Sequence, residues 1–235
     1  MQESGTISET EIAQFDKLAA EWWAPRGPMR ALHEMNPLRA TWIVDRVNRH
    51  GMVPGTLLDV GCGAGLLAEA LAAKGIPVLG LDAAPAAIAA AQAHAEGRDL
   101  PLSYRLGRVE ELVAEGQRFP VVTALEVIEH VPDAEAFVAA LADLVVPGGL
   151  LFVSTMNRSL RALLTAKIGA EYVVRLLPRG THDWRRFVPP KRLAAMLHTA
   201  GLRVTDSAGL SFDPMRGRWR ESRDLSVNYI MAAAK

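Results

Sequence analysis

Only one cysteine, Cys62, occurs in the 235 residues, so no internal disulfide can form and a reducing compartment suits the chain. Net charge is also missing, because 26 Lys and Arg offset 26 Asp and Glu. That balance argues against the broad basic surface nucleic-acid binding requires, and no nucleic-acid partner is expected. No run approaches the roughly 20 apolar residues of a membrane-spanning helix. The first eleven residues carry acids and no apolar centre, unlike a secretory signal or an Arg-rich transit peptide. These absences together lead us to expect a cytoplasmic protein. There is no internal repeat, and no low-complexity stretch beyond one Ala-rich helix. Half the residues are hydrophobic, enough for a sizeable core, so a single domain over 1–235 is expected.

The chain is organised around residues 56–65, Thr-Leu-Leu-Asp-Val-Gly-Cys-Gly-Ala-Gly. Leu57, Leu58 and Val60 read as a buried strand. Gly61, Gly63 and Gly65 form a turn, and Leu66, Leu67, Ala70 and Leu71 open a helix. A strand running through glycines into a helix brings backbone close to a nucleotide-like ligand. Glycine admits the unusual φ and removes the Cβ from the ligand's path. Asp59 lies inside the strand end, and Leu66 stands where the dinucleotide fingerprint wants glycine or alanine. The Asp-Val-Gly-Cys-Gly-Ala-Gly segment resembles the first motif of class I S-adenosylmethionine-dependent methyltransferases. Cys62, inside this turn, reads as a small packing residue rather than a nucleophile.

Upstream, residues 8–23 read as a helix with a Ser8–Glu11 capping box, and Asn36-Pro37 reads as the cap and first residue of another. We expect this N-terminal region, residues 1–50, to form a helical cap. From residue 56, strand and helix alternate: strands at 56–60, 77–81, 102–106, 121–125 and 150–154, helices at 65–74, 84–95 and 133–145. Pro147-Gly148-Gly149 turns the chain into the fifth strand. This rhythm predicts a mainly parallel sheet with helices on both faces. A helix follows at 190–199, and strands at 202–209 and 225–232 read as an antiparallel, hairpin-like edge.

Several residues carry candidate chemistry. Asp82 closes the second strand, where an acid can accept both hydroxyls of a ribose. It could instead cap the helix that follows, although the glycine turn upstream favours the ribose. Asp59, as a buried carboxylate, needs partners. It either organises the glycine turn or holds a ligand's amino group. Glu126, Glu129 and His130 follow the fourth strand, and in a helical turn they share one face. They could hold a divalent cation, or His130 could act as general base. The bland reading is a locally paired Glu129 beside a half-buried histidine. Residues 160–187 mix apolar residues at helical spacing with Arg161, Lys167, Arg175, Arg179, Arg185 and Arg186. Such a segment can rest on an anionic membrane, cover a substrate, or be a core helix with a solvated basic face. We treat 157–188 as a helical insertion. His182-Asp183 reads equally as an active-site pair or a turn. Trp22 and Trp23 either pack in the core, which aromatic burial favours, or cover the cofactor.

More of the chain looks like one family. Glu21-Trp22-Trp23, Asn36-Pro37-Leu38-Arg39, Glu126-Val-Ile-Glu129-His130-Val131-Pro132, Ser154-Thr155-Met156-Asn157-Arg158, Gly169-Ala170-Glu171-Tyr172 and Gly180-Thr181-His182-Asp183-Trp184 together resemble the ubiquinone-biosynthesis O-methyltransferases. The resemblance implies the class I methyltransferase (Rossmann-like) α/β fold with seven strands. It implies methyl transfer from S-adenosylmethionine to phenol oxygens of polyprenylated phenol or quinol precursors, at two steps, 2-polyprenyl-6-hydroxyphenol and 3-demethylubiquinol. It further implies that Arg39, Gly61, Asp82 and Leu125 contact the cofactor, and that Glu126, Glu129 and His130 match magnesium ligands. Partners would be other proteins of the pathway or the inner face of the membrane. One departure is Pro120, where the family usually opens the fourth strand with aspartate.

Overall fold

The computed structural model describes residues 21–24, 27, 29–51, 55–158, 187–213 and 215–235. Residues 1–20, holding most of the helix expected over 8–23, lie outside the described residues, as do 159–186 with His182 and nearly all of the expected insertion. The elements run α1 (Arg30–Arg49), β1 (Leu57–Val60), α2 (Leu66–Ala72), β2 (Val78–Asp82), α3 (Pro85–Ala95), β3 (Leu102–Leu106), α4 (Val109–Ala114), β4 (Phe119–Leu125), a 3-10 turn (Ile128–His130), α5 (Ala134–Leu144), β5 (Val145–Met156), α6 (Pro190–Thr199), β6 (Arg203–Asp213), β7 (Arg218–Ser222) and β8 (Asn228–Ala234).

All the strands join one sheet in the order β3-β2-β1-β4-β5-β8-β6-β7. The first five pair in parallel, and β8, β6 and β7 run antiparallel. Because successive side chains alternate faces, each central strand feeds two cores. Leu58, Val60, Val122, Leu151 and Val153 pack against α5 and α6. Leu57, Val121, Leu150, Phe152 and Ile230 pack with Trp42 and Ile43 of α1 and Leu67 and Leu71 of α2. Each such side chain contributes about 1.5–3 kcal/mol when fully buried.

Several expectations are corrected. The sheet has eight strands rather than seven, the extra one being β7, which makes a hairpin with β6. The last strand is no edge: β8 inserts between β5 and β6, and its all-buried Asn228–Ala234 run fits that central place. Asn36 does not cap a helix. α1 begins at Arg30 and carries Pro37 inside it, while Asn36 Nδ2 donates to the Leu66 carbonyl at 2.6 Å. Tertiary docking of α1 on α2 thus overrides the local Asn-Pro signal. β5 starts at Val145, ahead of the Pro-Gly-Gly segment, and Pro120 sits at a register shift between Phe119 and Val121. A missing N–H is tolerated at such an irregularity.

Candidate active site

The carboxyl ends of β1, β2, β4 and β5 open on one edge of the sheet, where ligands of such sheets bind. The β1–α2 turn is left-handed at all three glycines, with φ of 68° at Gly61, 55° at Gly63 and 89° at Gly65. It is also crowded. A Cβ on Gly61 would approach Val127 Cγ2 to 2.4 Å, and one on Gly63 would approach Trp22 Cζ2 to 2.4 Å. Asp82 ties the glycine turn to the segment that leads into α3. Its Oδ2 accepts from the Gly63 N–H at 2.8 Å, and its Oδ1 accepts from the Ala84 N–H at 2.9 Å, at the start of α3. Cys62 is buried, and burial with the Asp82 and Asp59 charges pushes its thiol up, which fits the packing role.

Asp59 is buried next to Thr123 of β4, whose hydroxyl donates to Oδ1 at 2.6 Å. Its Oδ2 is buried without a hydrogen-bond partner among the described residues. Burial pushes its carboxyl up to about 7, with Asp82 adding to the rise and Thr123 and Arg39 opposing it. Arg39, on α1, is likewise buried, and its Nε finds no partner among the described residues. An unpaired carboxylate oxygen and an unpaired guanidinium nitrogen beside a glycine cradle suit the two ends of an amino acid. S-adenosylmethionine carries such an end, so the residues fit that cofactor.

The second half of the site lies beyond β4. Leu125 ends that strand, in register with Ser154 of β5. Glu126 then adopts φ 58°, an uncommon conformation for a residue other than glycine. The expectation that Glu126, Glu129 and His130 share one helical face is therefore corrected, since the 3-10 turn starts only at Ile128. Glu126 Oε1 sits 2.9 Å from Arg39 Nη2, off the line of a good hydrogen bond, and accepts from Ser154 Oγ at 2.6 Å. Asn228 Nδ2 reaches both Glu126 oxygens at 3.2 Å. Glu129 is buried and accepts from Thr155 Oγ1 at 2.8 Å. Burial, then the Glu126 charge, push its carboxyl up to about 8, while hydrogen bonds and Arg39 pull the other way. His130 is half-buried in the 3-10 turn.

Among the described residues, no three His, Cys, Asp or Glu side chains gather as a metal shell. The oxygen donors nonetheless suit a hard cation that keeps waters, because magnesium is commonly held by one or two carboxylates. Asn228 Oδ1 is buried without a partner among the described residues, on the amide whose Nδ2 bonds Glu126. Ser154, Thr155 and Asn228 were missed as individual site residues. Their signal was position alone, at the ends of β5 and β8 where Met156 pairs with Asn228.

The comparisons with known proteins agree with this geometry. A family described as a methyltransferase domain matches residues 32–207. The ubiquinone biosynthesis O-methyltransferase of Methylobacterium nodulans is 48% identical, over 98% of this chain and 96% of its own. That of Cereibacter sphaeroides is 44% identical, over 100% and 99%. Magnesium protoporphyrin IX methyltransferase from Synechocystis PCC 6803, solved with bound SAH, superposes with a TM-score of 0.68 at 20% identity, covering 97% of this chain and all (100%) of its own. A plantazolicin methyltransferase gives 0.66 at 15% identity, over 97% and 98%. The fold is that of the class I methyltransferases, and the chain belongs to the ubiquinone biosynthesis O-methyltransferase family.

Proposed function

We propose that this chain moves the methyl group of S-adenosylmethionine to a phenol oxygen of polyprenylated ubiquinone precursors, the hydroxyphenol and the demethylquinol among them. The observation that carries the reading is the acid pair of half-buried Glu126 and buried Glu129, beside the cofactor cradle and next to Arg39. Methylation forms a bond from the phenol oxygen to the methyl carbon as the carbon–sulfonium bond breaks. The phenol proton must leave, and S-adenosylhomocysteine departs uncharged at sulfur.

An acceptor works best when its own pKa lies near the operating pH. Glu129, raised to about 8, is closer to a phenol, whose pKa is about 10, than an ordinary carboxylate is. It is the proposed proton acceptor, with His130 next to it in sequence as the other candidate. Asp59 and Arg39 bind the amino-acid end of the cofactor, Asp82 its ribose, and Gly61, Gly63, Gly65 and Leu125 line its path. Positioning of two reactants contributes about 7–11 kcal/mol in favourable cases. Magnesium, when bound, would lower the phenol pKa and orient a catechol, and Glu126, Glu129 and Asn228 are the residues that would hold it.

No helix among the described residues is long and apolar enough to cross a membrane. A prenylated substrate brings the reaction to a lipid surface, so peripheral contact at the inner face of the membrane belongs to this proposal. A catalytic part for His182 belongs to it too, and that residue lies outside the described residues. The test is transfer of labelled methyl to a short-chain demethylubiquinol in detergent with magnesium. O-methylated product is expected, and cofactor binding without transfer would overturn the reading.

A further inference from the structure

A second cluster of ionisable side chains lies outside the acid pair, on the outer side of the glycine turn. Glu69 is buried on α2, His94 stands in the last turn of α3, and Arg98 follows four residues later. Arg98 Nη1 donates to Glu69 Oε2 at 3.1 Å. Arg98 Nη2 lies 3.1 Å from His94 Nε2, and His94 Nδ1 lies 2.7 Å from Glu69 Oε1. A guanidinium only donates and a carboxylate only accepts. With Nε2 facing the Arg98 donor and Nδ1 facing the Glu69 carboxylate, the three side chains close a ring.

That ring holds a flat surface. The Trp23 indole stacks on the His94 imidazole, with centres 3.4 Å apart and planes 8° apart. His33 meets Trp23 edge-on at 5.7 Å, and its Nε2 is 2.8 Å from the Trp22 carbonyl. Trp23 Nε1 donates to the Ala64 carbonyl at 3.0 Å, between Gly63 and Gly65 of the turn. The neighbouring Trp22 lies against Gly63, where a Cβ would come within 2.4 Å of its Cζ2.

We propose that Glu69, His94 and Arg98 form a positioning ring for the cofactor cradle. The ring fixes the imidazole, the imidazole fixes Trp23, and Trp23 pins the Ala64 carbonyl and sets Trp22 over Gly63. The turn is then held in its binding shape before the cofactor arrives, so its ordering is not charged against binding. None of the three touches the reacting atoms. This inference rests on the cofactor reading above.

The experiment is calorimetric titration of the full chain with S-adenosylhomocysteine, followed by KM and kcat for S-adenosylmethionine. Trp23→Leu and His94→Ala are expected to weaken binding about tenfold, roughly one good hydrogen bond or stacking contact. The loss should fall on KM rather than kcat. His94→Phe keeps a stacking face but opens the ring to Glu69 and Arg98, so it should recover only part of the loss, and full recovery would overturn the role of the ring. Trp23→Phe keeps the stack and loses the bond to Ala64, so it should lie between parent and Trp23→Leu even if the leucine variant fails to fold. Parent-like affinity in both Trp23 variants, or a loss confined to kcat, overturns the proposal. A parent protein that binds no S-adenosylhomocysteine contradicts the cofactor reading instead.

Discussion

Asp82 closes β2 and Glu126 directly follows β4 on the same edge of the sheet, yet they are held by opposite means. Asp82 is tied by backbone, through the N–H groups of Gly63 and Ala84. Glu126 is tied by side chains from three separate elements, Arg39 of α1, Ser154 of β5 and Asn228 of β8. The cofactor half of the site is thus built into the turn of the chain. The acid half exists only once distant elements have docked, and it concentrates buried charge on one guanidinium. Turn geometry should be the weak point of the first half, and charge balance that of the second.

The largest effect is expected where that balance is removed. Arg39→Ala leaves Glu126 and the buried Glu129 without their cation, and breaking a buried pair from one side typically costs about 3–5 kcal/mol. Urea unfolding should show a loss of that order. A loss below about 1 kcal/mol, the level of surface pairs, would mean that Arg39 does not balance the acids.

The cradle breaks differently. Gly63→Ala places a Cβ into Trp22 at a φ of 55°. Gly75→Ala has a φ of 82° but nothing within 4 Å. Calorimetry should show S-adenosylhomocysteine binding weakened about tenfold or more by the first change and left alone by the second. Equal behaviour of the two would refute close packing at the turn.

Protonation sharpens the comparison. The carboxyl of Glu129 rises from the ordinary 4.5 to about 8, so the folded chain holds this proton more tightly than the unfolded chain. Its contribution to stability is full below about pH 4.5 and is lost as pH rises through about 8. Glu129→Gln should flatten the stability profile across that window. Asp59, raised to about 7, adds a slope of the same sign between its ordinary 3.8 and about 7. Methyl transfer should climb toward pH 8 in the parent protein, and a profile unchanged in Glu129→Gln would remove it as proton acceptor. The smallest effect is expected for Tyr104→Phe. That hydroxyl is buried without a partner among the described residues, so melting should show no loss and at most a gain of about 1 kcal/mol.

The same contrast explains what could be read from sequence. The β1 turn was legible because its glycines, Asp59 and the following helix lie within ten residues, and local spacing encodes the geometry. Asp82 was legible because it ends a strand. The acid half was only partly legible. Glu126 and Glu129 stand out in the segment, but helical spacing gave the wrong face because Glu126 turns left-handed. Asn228, 102 residues further on, reaches Glu126 only because β8 inserts beside β5. No local period announces that insertion, and for the same reason β8 read as an edge strand. Asn36-Pro37 misled in the opposite sense, since a strong local start signal was overridden by the docking of α1 on α2.

The most direct test of the account combines both halves in one assay. Labelled S-adenosylmethionine is supplied with a short-chain demethylubiquinol, magnesium and detergent, with and without chelator, and the product is mapped by mass spectrometry. The account predicts label on the phenol oxygen, with turnover lowered at least about tenfold by chelator. Label on carbon or nitrogen, or bound cofactor with no transfer, would contradict it.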